Sequence, residues 1–114
     1  MKMDEFRPVT KLAYDTSSSI LIDDVRYEFP ILFANGQVRA LADDHITTDS
    51  LPELKQFDTL LIASDHLSMK EFNERFKWPL EERKIGVDLL STHAIISTFM
   101  ILNNEGRRFA VLFL

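Results

Sequence analysis

An α/β fold built on a mixed sheet follows from three observations. Residues 85–114 run from an apolar stretch through a polar break at Ser91-Thr92 into an amphipathic segment. A second break at Asn103-Asn104-Glu105-Gly106 and a second apolar stretch complete a strand–helix–strand unit. A similar unit precedes it, starting near Asp58. Two such units in succession imply parallel strands joined by right-handed crossovers. The first half of the chain instead carries hairpin signals, so an antiparallel region of about residues 19–42 joins a parallel βαβαβ core. The 114 residues are expected to form a single domain, with residues 1–16 irregular or peripheral.

Taken in order, Ser19–Ile22 is a short apolar run ending in Asp23-Asp24, a two-residue turn that Asp tolerates well. Val25, Tyr27 and Phe29 then alternate with Arg26 and Glu28, giving a strand with one buried face. Pro30 cannot donate to a ladder and marks an edge or bend. Ile31–Ala34 continues as a strand into Asn35-Gly36, the dipeptide that best fits a type I′ hairpin turn, and residues 37–42 return. Residues 43–55 are polar and turn-rich, with a single helical turn after Ser50, where Pro52 suits an early helical position.

Residues 58–63 are nearly all apolar, the pattern of a central strand covered on both faces. Ser68 and Glu71 fit a capping box, and Phe72, Phe76 and Leu80 form one apolar stripe four residues apart. Pro79 interrupts that stripe, which predicts a helix over 68–77 and a kink or restart at Trp78-Pro79 running to about Lys84. Residues 85–90 form the next strand. Thr92 is read as the N-cap of a helix whose core side carries Ile95, Phe99 and Leu102, with Ala94 and Thr98 alongside, and Gly106 ends it. Residues 107–114 are the last strand.

Composition excludes several chemistries. Thirteen Lys and Arg against eighteen Asp and Glu leave a net charge of −5, which argues against a nucleic-acid binder in need of a basic face. The chain has no cysteine, so disulfides, thiolate catalysis and cysteine-ligated metal sites are out. No apolar run approaches the roughly 20 residues of a membrane-spanning helix. The first residues lack a signal-peptide core, and a cytoplasmic setting is expected. No cofactor is indicated. A protein partner is expected, and the apolar strands leave room for self-association through an edge.

The stretch from Leu89 to Leu114 resembles the C-terminal block of the Mth938-like family, small single-domain proteins of unknown function. One relative is a mitochondrial assembly factor of respiratory complex I. The matching positions are Thr92, Ala94, Thr98, Leu102, Glu105, Gly106, Arg107 and Arg108; Phe99 stands where the family has Tyr, and Met100 where it usually has Asn. After the central strand the family typically has Gly-Thr-Gly, and this chain has Ala63-Ser64-Asp65-His66. The resemblance implies a compact α/β domain with no established enzymatic activity, and a role in protein assembly by analogy with that relative.

The candidate sites come from both sources. Ser64, Asp65 and His66 follow a central strand, where open α/β sheets bind ligands. With Thr92 at a helix start and Arg107, they define one site for a small molecule or anion; the bland alternative is a hydrogen-bonded turn. Thr98, Glu105 and Arg107 or Arg108 match the family motif, with an Arg–Glu pair fixing the helix-to-strand turn or an arginine facing a cleft. Phe76 and Trp78 are either core or a partner anchor, and core is the favoured reading. Asp43, Asp44, His45 and Asp49 lack calcium-loop spacing and are read as a solvated loop; His93 is read as a first-turn surface residue. No metal site and no catalytic residue is assigned, because no ordered nucleophile–base set is present.

Overall fold

Two strands that are buried on both faces set the architecture of the computed structural model, which describes residues 10–42 and 46–114. They are β6 (Thr59–Ala63) and β8 (Phe109–Phe113), which run parallel in the register Thr59↔Phe109 to Ala63↔Phe113. β7 (Gly86–Leu90) pairs parallel on the other side of β6. β4 (Ile31–Ala34) pairs antiparallel with β8, and β5 (Gln37–Ala40) with β4. The five-stranded order is β5-β4-β8-β6-β7, so the parallel core and the mixed sheet expected from the sequence are both present.

The alternation of side chains divides the core into two layers. Leu32, Ala34, Leu60, Ile62, Ala110 and Leu112 point to one face, where they meet Phe72, Phe76 and Leu80. Ile31, Phe33, Leu61, Ala63, Val111 and Phe113 point to the other, where they meet Ile95 and Phe99 of α3 (Ala94–Asn104) and Leu12, Ile20 and Ile22 of a second sheet. That sheet is an antiparallel meander of β1 (Leu12–Thr16), β2 (Ser19–Ile22) and β3 (Val25–Glu28). Pro30 lies where the chain leaves the small sheet for the large one, in keeping with its role as a bend.

Local chemistry accounts for the turns. Asp23 and Asp24 have φ of 52° and 70°, and Asn35 and Gly36 have 54° and 75°, the paired positive values that type I′ hairpins need. Gly106, at φ 70°, ends α3. At the start of α1 (Met69–Phe72) the Glu71 N–H donates to Ser68 Oγ at 3.1 Å and the Ser68 N–H to Glu71 Oε1 at 3.4 Å, the reciprocal capping box.

Three expectations are corrected. Residues 12–16 are not irregular: they form β1, whose only buried side chain is Leu12, so the apolar alternation is too weak to see. The hairpin region is split between two sheets instead of joining one. The helix expected over 68–77 is α-helical only to Phe72, while the restart expected at Trp78-Pro79 is present and follows without a gap. A π turn (Asn73–Lys77) links α1 directly to α2 (Trp78–Glu82), and the Trp78 N–H reaches back five residues to the Asn73 carbonyl. This widened turn carries the chain past a proline that has no N–H to give.

The same helical segment supplies an internal comparison of buried and exposed aromatics. Phe76 is 0% exposed and Trp78 is 56% exposed. Phe76→Ala is expected to lower unfolding stability by about 3–5 kcal/mol, while Trp78→Ala stays within about 1 kcal/mol, read as urea-denaturation midpoints with unchanged slope.

Candidate functional site

The parallel strands β6 and β7 both end near residues 64–66 and 91–93, and the two loops are tied to each other. The Ser64 N–H donates to the Leu90 carbonyl at 2.9 Å. Asp65 then reaches across, accepting from the Thr92 N–H at 3.0 Å and from the Thr92 hydroxyl at 2.7 Å. Thr92 is buried at 1% exposure, whereas Asp65 and His66 are exposed. Ser64 Oγ accepts from the N–H groups of both His66 and Leu67 at 3.0 Å. This serine–turn closes the loop and takes up the N–H groups that a glycine-rich loop would turn towards an anion.

Thr92 is therefore not the N-cap of α3, as its sequence position suggested. The residue at that position is His93, whose side chain makes no capping bond; the first helical N–H groups are instead met by Ser91, its Oγ accepting from the Ala94 N–H at 3.0 Å and its carbonyl from the Ile95 N–H at 3.1 Å. Two donors, the hydroxyl and the N–H of Thr92, hold the Asp65 carboxyl below its ordinary value, in that order of weight; partial burial opposes them, and His66 and His93 add a smaller downward pull. His93 is exposed, and its ring stacks on Tyr14 of β1 at 3.8 Å between centroids and 16° between planes. Sequence reasoning missed Tyr14 because β1 itself was missed.

Arg107 does not join this group. It precedes β8 and sits beside the start of β6, donating to Thr59 Oγ1 at 3.2 Å and lying 3.8 Å from Glu105 Oε1. Parallel pairing puts the starts of β6 and β8 at one end of the sheet and residue 64 at the other, about five residues or ~16 Å away. The expected site combining Asp65, His66, Thr92 and Arg107 is thus two separate places. The Arg107–Glu105 pair does span the helix-to-strand turn, but both side chains are about half exposed, so it adds little to stability. Thr98 is half-buried on α3.

Phe76 and Trp78 also separate: Phe76 is enclosed in the core and unreachable by a partner, while Trp78 faces solvent. Asp49 is exposed, 3.6 Å from Arg83; Asp43, Asp44 and His45 lie outside the described residues. Among the described residues no group of three His, Asp or Glu side chains converges as a metal site would need.

Comparison with known proteins gives a family and a set of related folds. A family model described as a protein of unknown function (DUF498/DUF598) matches residues 13–114. A solved protein from Bordetella parapertussis is 27% identical, with a TM-score of 0.70 over 96% of this chain and 98% of its own. A Bordetella pertussis protein described as a Mth938-like domain is 23% identical, with a TM-score of 0.64 over 100% and 92% of the two chains. A Bartonella henselae protein described as an outer membrane protein is 20% identical, with a TM-score of 0.67 over 92% and 93%. The last two establish likeness of fold alone. No curated protein matches the chain.

The Asp65–Thr92 bridge carries a pH dependence whose sign follows from the lowered carboxyl. A depressed folded-state pKa adds stability above the unfolded carboxylate value near 3.8, and that stability is lost as pH falls through the lowered value. Asp65→Asn should therefore lower the melting temperature at neutral pH and reduce the drop between about pH 4 and pH 2. Thermal melts of both proteins across that range read the difference, and superimposable pH profiles would show that the bridge contributes nothing.

Proposed function

The chain belongs to the DUF498/DUF598 family of proteins of unknown function, and on that premise we propose that it is a non-catalytic protein-binding or assembly module anchored on Trp78. The observation that carries this reading is the 56% exposure of a tryptophan in a chain with no other. Tryptophan is among the residues that dominate interface energetics, and leaving its ring in water costs free energy that a partner can recover. Trp78 begins α2, which packs beside β7, the outer strand of the large sheet. Met69, at 60% exposure, adds a second apolar side chain at the start of the same helical segment.

The polar groups support the same reading. Ser64 is occupied by two backbone donors and Asp65 by Thr92, so neither is poised as nucleophile or base. The net charge of −5 favours a protein partner over nucleic acid. The chain has no cysteine, and among the described residues no helix is long and apolar enough to cross a membrane; we place this role in the cytoplasm as part of the same proposal. The assembly role of the mitochondrial relative, taken by analogy, points the same way.

Affinity capture from cells of the source organism tests this, with the native chain, Trp78→Ala and His66→Ala side by side. The native chain and the His66 variant are expected to retain a common protein that the Trp78 variant loses, with affinity falling roughly thirtyfold or more in titration of that protein. A partner held equally well without Trp78 would overturn the reading. So would the absence of any partner together with a small-molecule stabilisation that disappears in His66→Ala.

A further inference from the structure

At the end of the sheet opposite the Asp65–Thr92 bridge lies a cleft of about 540 Å³. Phe33, Phe57, Phe99 and Phe109 line its apolar side, with Phe99 between Phe33 and Phe109 at centroid distances of 5.7 Å and 5.4 Å. Arg107 and Arg108 stand on its rim. Asn35 and Gln56 close one wall, joined by a hydrogen bond of 3.1 Å from Asn35 Nδ2 to Gln56 Oε1. Among the described residues that line it there is no carboxylate, in a chain whose acids outnumber its bases by eighteen to thirteen. We propose that this cleft binds a small amphipathic anion, an apolar chain or ring ending in a carboxylate or phosphate, with Arg108 as the principal ligand of the charged end.

The arginines are not needed to finish the helix they follow. The carbonyls of Ile101, Leu102 and Asn103 at the end of α3 accept from the backbone N–H groups of Glu105, Arg107 and Gly106 at 3.0 to 3.2 Å. Side chains that often cap such carbonyls are therefore free for other work. Arg107 is partly committed, to Thr59 and to Glu105, and its guanidinium is held at the lip as a positioning group. Arg108 has no hydrogen bond or ion pair with any described side chain. Residues 107 and 108 precede β8 instead of lying within it, so the strict alternation of a strand does not send them to opposite faces, and both reach one cleft.

The chemical class follows from the lining. A planar guanidinium pairs with a carboxylate or phosphate through two parallel hydrogen bonds, and the phenyl rings of the apolar side have no polar atom to hold a hydrated ion. Inorganic phosphate would satisfy the rim and leave the floor wet; a neutral hydrocarbon would fill the floor and leave the rim unused. The volume suits a ligand of roughly drug-like size. The cleft beside His66, about 370 Å³, is a poorer fit, since Glu71 lines it and its arginine, Arg75, already donates to the Ile46 carbonyl at 2.7 Å.

Titration of the full chain with octanoate, phenyl phosphate, inorganic phosphate and octanol tests this, followed by the amide resonances of Asn35, Asn103 and Phe109 in two-dimensional NMR. Saturable shifts of these resonances are expected with octanoate or phenyl phosphate, and the stronger of the two identifies the head group. Arg108→Gln, at an exposed position, should weaken that binding about tenfold with an unchanged fold by circular dichroism, while Lys70→Gln on α1 leaves it as it was. The proposal falls if neither amphipathic anion gives saturable shifts there, if octanol or inorganic phosphate binds as well as they do, or if Arg108→Gln binds with native affinity.

Discussion

The pairing of β6 with β8 is the constraint on which the rest of the molecule depends. Both strands have apolar residues on both faces, so each must be covered above and below as well as on both edges. Leu60, Ile62, Ala110 and Leu112 demand the α1–α2 layer; Leu61, Ala63, Val111 and Phe113 demand α3 and the small sheet. β4 and β7 then close the two remaining edges of the pair. Every feature of functional interest sits where this stack runs out: at the two ends of the parallel strands, or on its outer helix.

At the carboxyl ends of the strands, where open α/β sheets commonly take ligands, this chain turns its own groups inward. Ser64 holds the N–H groups of His66 and Leu67, and Asp65 holds the N–H and hydroxyl of Thr92. A carboxylate of the chain thus occupies the donors that precede α3, and the loop is stabilised by the same interactions that would otherwise recognise an external anion. Through these bonds Ser64 and Asp65 tie the loop after β6 to the loop after β7.

At the amino ends the chemistry is reversed. The turn after α3 satisfies its own carbonyls, and the two arginines that follow share a cleft with four phenylalanines and no acid among the described lining. On the outer helix, a π turn brings Phe76 inward and leaves Trp78 in solvent two residues later. These two regions are distinct in chemistry as well as position: one is a concave, cationic and aromatic cleft, the other an exposed aromatic beside a sheet edge.

That the segments near 58–63, 85–90 and 107–114 are parallel strands was legible in the residues themselves. The mostly apolar runs within 58–63 and 107–114 point to strands, Asn35-Gly36 and Asp23-Asp24 to tight turns, and Ser68 with Glu71 to a helix start, because each reflects a local requirement of burial or backbone angle. What depended on distant partners was not legible. β1 buries little beyond Leu12, so its existence is decided by the strand beside it. Thr92 looked like a cap until Asp65, 27 residues earlier, took its donors. Arg107 and Asp65 both flank core strands in sequence, yet parallel register sends them to opposite ends of the sheet. Local chemistry determined which segments are strands, turns and helices; only tertiary packing decided which polar groups meet, because hydrogen-bond partners and cleft walls come from segments that sequence spacing cannot bring together.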